Sequence, residues 1–318
     1  MMNMKTLTIP EIACFFKAND HFLILTHRRP DGDTLGCAAA LCRGLRSLGK
    51  TAAILENPQL TDKYRPYLEG LTVPSFETGM VTVSVDVASL DMLAKNAGFP
   101  VRLLLDHHGT NPGFAEEGLI VPEAAATGEL IFDVLEAMGV TLDQATAEAI
   151  YVAVSTDTGC FRYSNTTAKT LRVAAACLAA GAETYPINQE MFEKRRFARL
   201  RIDAYITEHV VFYTEGRLAI AAIPLEVEKN CGVTEDDMES VSTFARNIEG
   251  VCLAVTMRTL PDGQTKLSVR SAPGYDAAAL CALFGGGGHK AAAGATLPMA
   301  QDEAKLAVEN AFRQLGYL

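Results

Sequence analysis

The 318-residue chain has no uninterrupted apolar run near the roughly 18 residues a membrane-spanning helix needs. Its first residues, MMNMKTLTIPEIACFFKANDHF, lack the unbroken apolar core and small-residue cleavage site of a secretory signal. A cytoplasmic protein is the expectation. None of the eight cysteines (14, 37, 42, 160, 177, 231, 252 and 281) forms a C-x-x-C pair, which excludes a cysteine zinc site. Most lie in apolar stretches and read as small buried hydrophobes in a reducing compartment. Positive charge is also short: Lys and Arg number 28 against 38 Asp and Glu, for a net charge of −10. Long duplex nucleic acid selects a basic surface, so it is excluded as a partner. A small anion is not, because bound cations invert the local field. Internal repeats are absent.

The chain does have apolar material: 49% of residues are hydrophobic and 21% charged, enough for two domains by length. In the first half, strand-like runs at 21–27 (HFLILTH), 51–56, 80–88 (MVTVSVDVA) and 101–108 (VRLLLDHH) alternate with helical patterns. The first helix is expected from Asp33 to Leu48. Continuous apolar strands between helices indicate a buried parallel sheet in an α/β domain, with ligands at the carboxyl ends of its strands. From Thr127 three helical segments each close at a glycine, and INQEMFEKRRFARLRIDAYI reads as one long helical connector. A second, smaller α/β domain is expected from His209. It has hairpins turned at Glu215-Gly216 and Pro261-Asp262-Gly263, a helix over 235–249 and a last helix over 299–315. The expected boundaries are 1–185, 186–208 (connector) and 209–318.

The candidate chemistry sits at the ends of the apolar runs. His27, Asp31 and Asp33 fall within seven residues after the first run. Two desolvated carboxylates at i and i+2 repel, so positive charge is expected beside them, and divalent ions supply it. A plainer account is a turn at Asp31-Gly32 with Asp33 capping the helix. Asp86 is the only charge in its nine-residue run. It could hold a ribose hydroxyl as in dinucleotide folds, but no G-x-G-x-x-G follows the first strand, and a carboxylate shared by two metals is the sharper reading. Asp106-His107-His108 ends the fourth run, and adjacent histidines can converge where a strand breaks. Asp157 lies in STDTG at the end of an apolar helix, where a carboxylate opposes the helix dipole unless something positive compensates it. Oxygen ligands with imidazole suit Mn²⁺ or Mg²⁺ better than Zn²⁺.

HRRPDGD, Asp86, DHH and STDTG, in this order, resemble the DHH phosphoesterase superfamily, and Arg270-Ser271 with the Gly285–His289 tract resembles its accessory DHHA1 domain. The two-domain length is similar to the nanoRNase/pAp phosphatase branch, which shortens very short RNAs and dephosphorylates 3′-phosphoadenosine 5′-phosphate (pAp). The resemblance implies a parallel-sheet DHH domain with flanking helices, joined by the connector to a DHHA1 domain. It implies two divalent ions, most readily Mn²⁺. His27, Asp31 and Asp86 would hold one; Asp33, Asp86, His107 and Asp157 would hold the other. His108 would be the catalytic donor beside the scissile phosphate, and Asp106 would orient the histidines. Cys37 stands where the family commonly has serine. The implied partners are short single-stranded RNA or nucleotides, and a homodimer is open.

The glycine tract has its own physical reading. Gly286, Gly287 and Gly288 let backbone amides approach a phosphate, while His289, Arg270 and Ser271 add donors, so these six are the expected substrate-binding residues. A flexible loop before a helix is the plainer account. Substrate would then lie between the domains. The cationic run Lys194-Arg195-Arg196 with Arg199 and Arg201 is accounted for by a solvated helix face. Linear dinucleotides such as pApA are the alternative substrate. Pyrophosphate or polyphosphate is disfavoured by the glycine–histidine tract, and a non-catalytic nucleotide sensor by the completeness of the ligand set.

Overall fold

The computed structural model describes residues 4–238, 241–244 and 247–317. Contacts divide the chain into two compact units, Met1–Lys194 and Arg195–Leu318. In chain order the first holds β1 (Lys5–Thr6), α1 (Ile9–Ala18), β2 (Phe22–Leu25), α2 (Gly32–Ser47), β3 (Ala52–Leu55) and β4 (Thr72–Val73). It continues through β5 (Val81–Val85), β6 (Leu103–Asp106), β7 (Glu117–Ile120), α3 (Thr127–Met138), α4 (Gln144–Asp157), α5 (Ala168–Ala179) and α6 (Thr184–Asn188).

Its seven strands run in the order β1-β7-β6-β5-β2-β3-β4, all pairs parallel. Period-two alternation sorts the side chains. Phe22 and Ile24 of β2 point into the large core with α1 to α5, while Leu23 and Leu25 point into a smaller core on the opposite face. That second face is covered by Leu93, Ala94, Ala97 and Val101 from the segment before β6, whose one helical turn is the 3₁₀ turn Leu90–Met92, and by Ala115 after β6.

The helices on the first face pack at close range because small residues meet there. A Cβ on Gly36 of α2 would lie 2.4 Å from the Ala149 carbonyl oxygen of α4, and one on Gly32 would lie 2.3 Å from Thr156 Oγ1. These contacts run antiparallel. They bring the N-terminus of α2, with Asp33, against the C-terminus of α4, with Asp157.

The expected connector helix is not continuous. After α6 a π-helical turn covers Gln189–Glu193, Lys194 is extended, and α7 (Phe197–His209) begins anew with Arg196 as its extended N-cap. The cations have separate acidic partners: Glu190 for Lys194, Asp203 for Arg195, Asp237 for Arg196. Glu190–Lys194 is an i,i+4 pair within the preceding turn, whereas Asp203 and Asp237 lie beyond the break, where the extended Lys194 and Arg196 end one helix and start the next. Nor is Arg199 on a solvated face. It is 8% exposed, pairs with Asp203 at 2.9 Å and donates to the Asp237 carbonyl at 2.7 Å. Arg201 is exposed.

The second unit continues with β8 (Val211–Tyr213), β9 (Leu218–Ile223), α8 (Leu225–Cys231), α9 (Glu235–Met238), β10 (Leu253–Thr259) and β11 (Thr265–Ser271). It ends with α10 (Ala277–Ala282), β12 (Gly287–His289), β13 (Ala292–Leu297) and α11 (Gln301–Gln314). The six strands form a mixed sheet, β12-β13-β11-β10-β9-β8, with β9 and β10 parallel and the other pairs antiparallel. Both expected hairpins are present. The helix expected over 235–249 is reduced to α9 and a 3₁₀ turn, Val241–Thr243; residues 239–240 and 245–246 lie outside those described. All eight cysteines are free, and only Cys37, Cys42, Cys177 and Cys281 are buried. Among the described residues no helix is long and apolar enough to cross a membrane.

Candidate metal centre and its supporting residues

β2, β5 and β6 are neighbours in the sheet, so their carboxyl ends open side by side. The turn after β2 supplies His27, Asp31 and Asp33; the residue after β5 is Asp86; β6 ends in Asp106 and runs into His107 and His108. α4 delivers Asp157 from across the sheet end. All eight residues singled out in this unit therefore fall within one small region.

Three overlapping groups have ligand atoms close enough to share a metal ion: His27, Asp31 and Asp86; Asp33, His107 and Asp157; Asp86, His107 and His108. His27 Nε2 lies 3.4 Å from Asp31 Oδ1 and 3.8 Å from Asp86 Oδ2. His107 Nε2 lies 3.2 Å from Asp157 Oδ2, 3.6 Å from Asp86 Oδ1 and 3.9 Å from Asp33 Oδ2. Asp86 touches both sets. It is 3% exposed, and its backbone sits at φ 56°, a left-handed conformation uncommon for a residue with a Cβ. That bend turns the carboxylate back over the strand ends.

The cap is held by Asp31, not Asp33: Asp31 accepts from the Thr34 amide at 3.2 Å. Asp33 is fully buried and points to a different helix. Its oxygens accept the amides of Thr127 at 2.6 Å and Gly128 at 2.9 Å, at the N-terminus of α3. Thr127 Oγ1 also donates to Asp86 Oδ1 at 2.9 Å, so one residue braces both carboxylates. Cys37 donates its thiol to Asp33 from one turn along α2.

The histidines are oriented by different partners. His107 Nδ1 meets the Ala124 carbonyl at 3.1 Å, which turns Nε2 toward the carboxylates. Asp106, expected to orient both, reaches only His108, whose Nδ1 is 2.8 Å from its Oδ1. Asn111 donates to the other oxygen of Asp106 and, at 2.8 Å, to the Val87 carbonyl. The His108 side chain remains 40% exposed. Asn57 donates to the His27 carbonyl and Asn165 to those of Ala125 and Asp157. None of Asn57, Asn111, Thr127 and Asn165 was distinguishable in the sequence, because single polar residues in turns carry no periodic or spacing signal.

The electrostatics demand added positive charge. Burial raises Asp33 well above the ordinary carboxylate range, and Asp86, Asp157 and Asp31 push it further. Burial, with Asp31 and Asp157, lifts Asp86 to about 7. Burial opposes protonation of His107, but Asp157 and Asp86 outweigh it and raise it to about 9. Among the described residues, the ion pairs made by Asp31, Asp33, Asp86 and Asp157 are all with histidines. Without cations the cluster must take up protons; with them those protons leave. A carboxylate–imidazole donor set of this kind fits divalent metal.

In the second unit Arg270 and His289 both pair in register with Ala292, from opposite sides of β13. They therefore share one row and one face, about 10 Å apart by two strand spacings. Ser271 Oγ donates to the Lys290 carbonyl at 2.6 Å, tying β11 to the tract. The tract is not a loose loop, since Gly287–His289 forms edge strand β12. Gly288 has φ 146°, and a Cβ there would lie 2.6 Å from the Ala292 carbonyl oxygen, so its glycine is required by close packing.

This arrangement has counterparts. Residues 21–154 match the DHH family, N-terminal domain, and residues 216–315 match the DHHA1 domain. The bifunctional oligoribonuclease and PAP phosphatase NrnA of Thermus thermophilus is 32% identical over 93% of this chain and 91% of its own. The protein of the same name from Mycoplasma genitalium is 25% identical over 92% of this chain and 94% of its own. An exopolyphosphatase-related protein from Bacteroides fragilis superposes with a TM-score of 0.82 at 24% identity, over 96% of this chain and 95% of that one. With DHH at the end of β6, five further acidic and imidazole ligand candidates around it, and both domains matched in order, the chain belongs to the DHH phosphoesterase family, in the branch that carries a DHHA1 domain.

Proposed function

We propose that this enzyme hydrolyses short oligoribonucleotides to 5′-mononucleotides and dephosphorylates pAp to AMP, using two divalent ions, Mn²⁺ or Mg²⁺. The observation that carries the reading is the convergence of Asp31, Asp33, Asp86 and Asp157 on His27 and His107, with no lysine or arginine in ion-pair contact with those carboxylates among the described residues. The names of the Thermus thermophilus and Mycoplasma genitalium relatives supply the substrate class.

In this reading His27, Asp31 and Asp86 hold one ion; Asp33, Asp86, His107 and Asp157 hold the other. Bound, the ions supply Lewis-acid activation of water and neutralise phosphate charge. The chain's own residues do the rest. The Thr127 and Gly128 amides keep Asp33 aimed. Asp106, itself fixed by Asn111, holds His108 Nδ1, so that Nε2 presents a proton toward the open side of the cluster as a donor to the phosphate or leaving group. Arg270, Ser271, Gly286, Gly287, Gly288 and His289 form the substrate-binding row, Arg270 and His289 as paired donors to a phosphate.

The test is a panel of two- to five-residue RNAs, pAp and the linear dinucleotide pApA, with purified protein and Mn²⁺. Mononucleotide release from the RNAs and AMP from pAp is expected. Turnover of pApA alone assigns the enzyme to linear dinucleotides instead, and no turnover of any substrate removes the proposal. Asp157→Ala should abolish turnover; full activity in that variant would contradict the ligand assignment.

A further inference from the structure

The segment after Asp157 holds one of two runs of three successive positive-φ residues in the described chain, the other being the β8–β9 turn at Thr214–Gly216. Gly159, Cys160 and Phe161 are three successive residues at positive φ (56°, 58° and 62°), two of them with side chains. Such conformations cost on the order of 1 kcal/mol or more each and persist only where surroundings enforce them. Here the enforcement is visible. Thr158 Oγ1 accepts the Phe161 amide at 3.1 Å, and the Thr158 carbonyl accepts the amides of Arg162 and Tyr163 at 3.0 Å. Phe161 turns inward onto Tyr151, ring centroids 5.7 Å apart. The far end is fastened by Asn165, whose amide spans the carbonyls of Ala125 and Asp157.

Arg162 and Tyr163, which lie between Asp157 and the Asn165 that is tied to its carbonyl, are both exposed. The Tyr163 ring lies over Gly159, close enough that a Cβ there would fall 2.3 Å from it, so only glycine permits the ring's position. Tyr163 is nevertheless 51% exposed. Arg162 is exposed; its Nε donates to the Gly159 carbonyl at 2.6 Å, and among the described residues it has no carboxylate partner. In a chain of net charge −10, an anchored arginine without a carboxylate partner, five residues after Asp157, is placed for an anion from outside.

We propose that Arg162 and Tyr163 form a nucleotide subsite in which the guanidinium grips a phosphate and the exposed ring stacks on a nucleobase. This rests on the reading of the enzyme as a nucleotide phosphoesterase and names the residues that distinguish a nucleotide from a bare phosphate ester. The backbone staples hold the pair in place before substrate arrives, which lowers the ordering cost of binding. Base-on-aromatic stacking is tolerant of sequence, because every base has a π-face.

The test is calorimetric binding of AMP and of ribose 5-phosphate to the full chain with Mn²⁺, which needs no turnover. The wild type should bind AMP more tightly, and Tyr163→Ala should reduce that preference about tenfold. Tyr163→Phe should keep it, separating stacking from the hydroxyl. Arg162→Ala should weaken both ligands alike, with Arg162→Lys failing to restore a two-point grip. An AMP preference unchanged in Tyr163→Ala, or AMP that does not bind at all, overturns the subsite. RNA and pAp left uncut by a protein that still shows the Tyr163-dependent preference would defeat the hydrolase reading and leave the subsite standing.

Discussion

Asp86→Asn should stabilise the metal-free protein at pH 8 while removing its response to Mn²⁺. Asp86 is buried and sits beside Asp31 and Asp157, and its carboxyl is raised from 3.8 to about 7. A raised acid binds more protons folded than unfolded between those two values, so its contribution to stability falls as pH rises from about 4 to about 7 and stays lost above that. At about 1.4 kcal/mol per pH unit, ionised Asp86 costs the fold roughly 4 kcal/mol at pH 8. Asparagine keeps an acceptor for Thr127 Oγ1 but carries no charge. The attraction to His107 and His108, 3.6 and 3.7 Å away, is already contained in that value, so the expected gain is about 4 kcal/mol. For a unit of this size that corresponds to a melting point roughly 8–16 °C higher. The assay is thermal unfolding of chelator-treated protein at pH 5.5 and pH 8, with and without Mn²⁺. The difference between variant and wild type should shrink at pH 5.5, where Asp86 is protonated, and reverse with Mn²⁺, which only the wild type holds tightly. A variant less stable than wild type at pH 8 without metal, or an equal Mn²⁺ shift in both, refutes the reasoning.

Asn111→Ala should release Asp106 and leave His108 unaimed; kcat on an RNA dimer should fall about tenfold or more with Mn²⁺ affinity nearly unchanged, measured by steady-state kinetics beside a metal titration. Mn²⁺ binding should expel protons from Asp33, Asp86 and His107, so calorimetric heats should differ between buffers of different ionisation enthalpy and affinity should drop as pH falls below about 9, more steeply below about 7. Gly36→Ala should destabilise by about 1–3 kcal/mol in chemical unfolding, because its Cβ meets the α4 backbone at 2.4 Å.

The core of the fold was legible where the chain obeys a simple period. β2, β3, β5 and β6 are apolar runs, and α2 to α5 close at recognisable ends. The short edge strands β1 and β4, and β7 beside β1, were missed, since two to four residues give no periodic signal. α1 was missed too, although Thr8 and Glu11 form a capping box that announces it, Glu11 taking the Thr8 amide at 2.8 Å. The connector misled because helical composition says nothing of where Glu190, Asp203 and Asp237 will draw three adjacent cations. At the metal centre, the charged residues could be read because charge inside apolar runs demands a reason. What could not be read is tertiary: that Asp33 leaves its own helix's cap to Asp31 and takes the N-terminus of α3, and that His107 is aimed by a main-chain carbonyl. The compensation expected for Asp157 at a helix end lies partly in the fold itself, because α4 ends against the positive N-terminus of α2.

The most direct measurement is anomalous diffraction at the manganese edge from crystals grown with Mn²⁺. The account predicts two peaks, one among His27, Asp31 and Asp86, the other among Asp33, Asp86, His107 and Asp157, with Asp86 touching both. A map with no peak among these side chains, or one that leaves Asp86 outside the coordination of either ion, would contradict it.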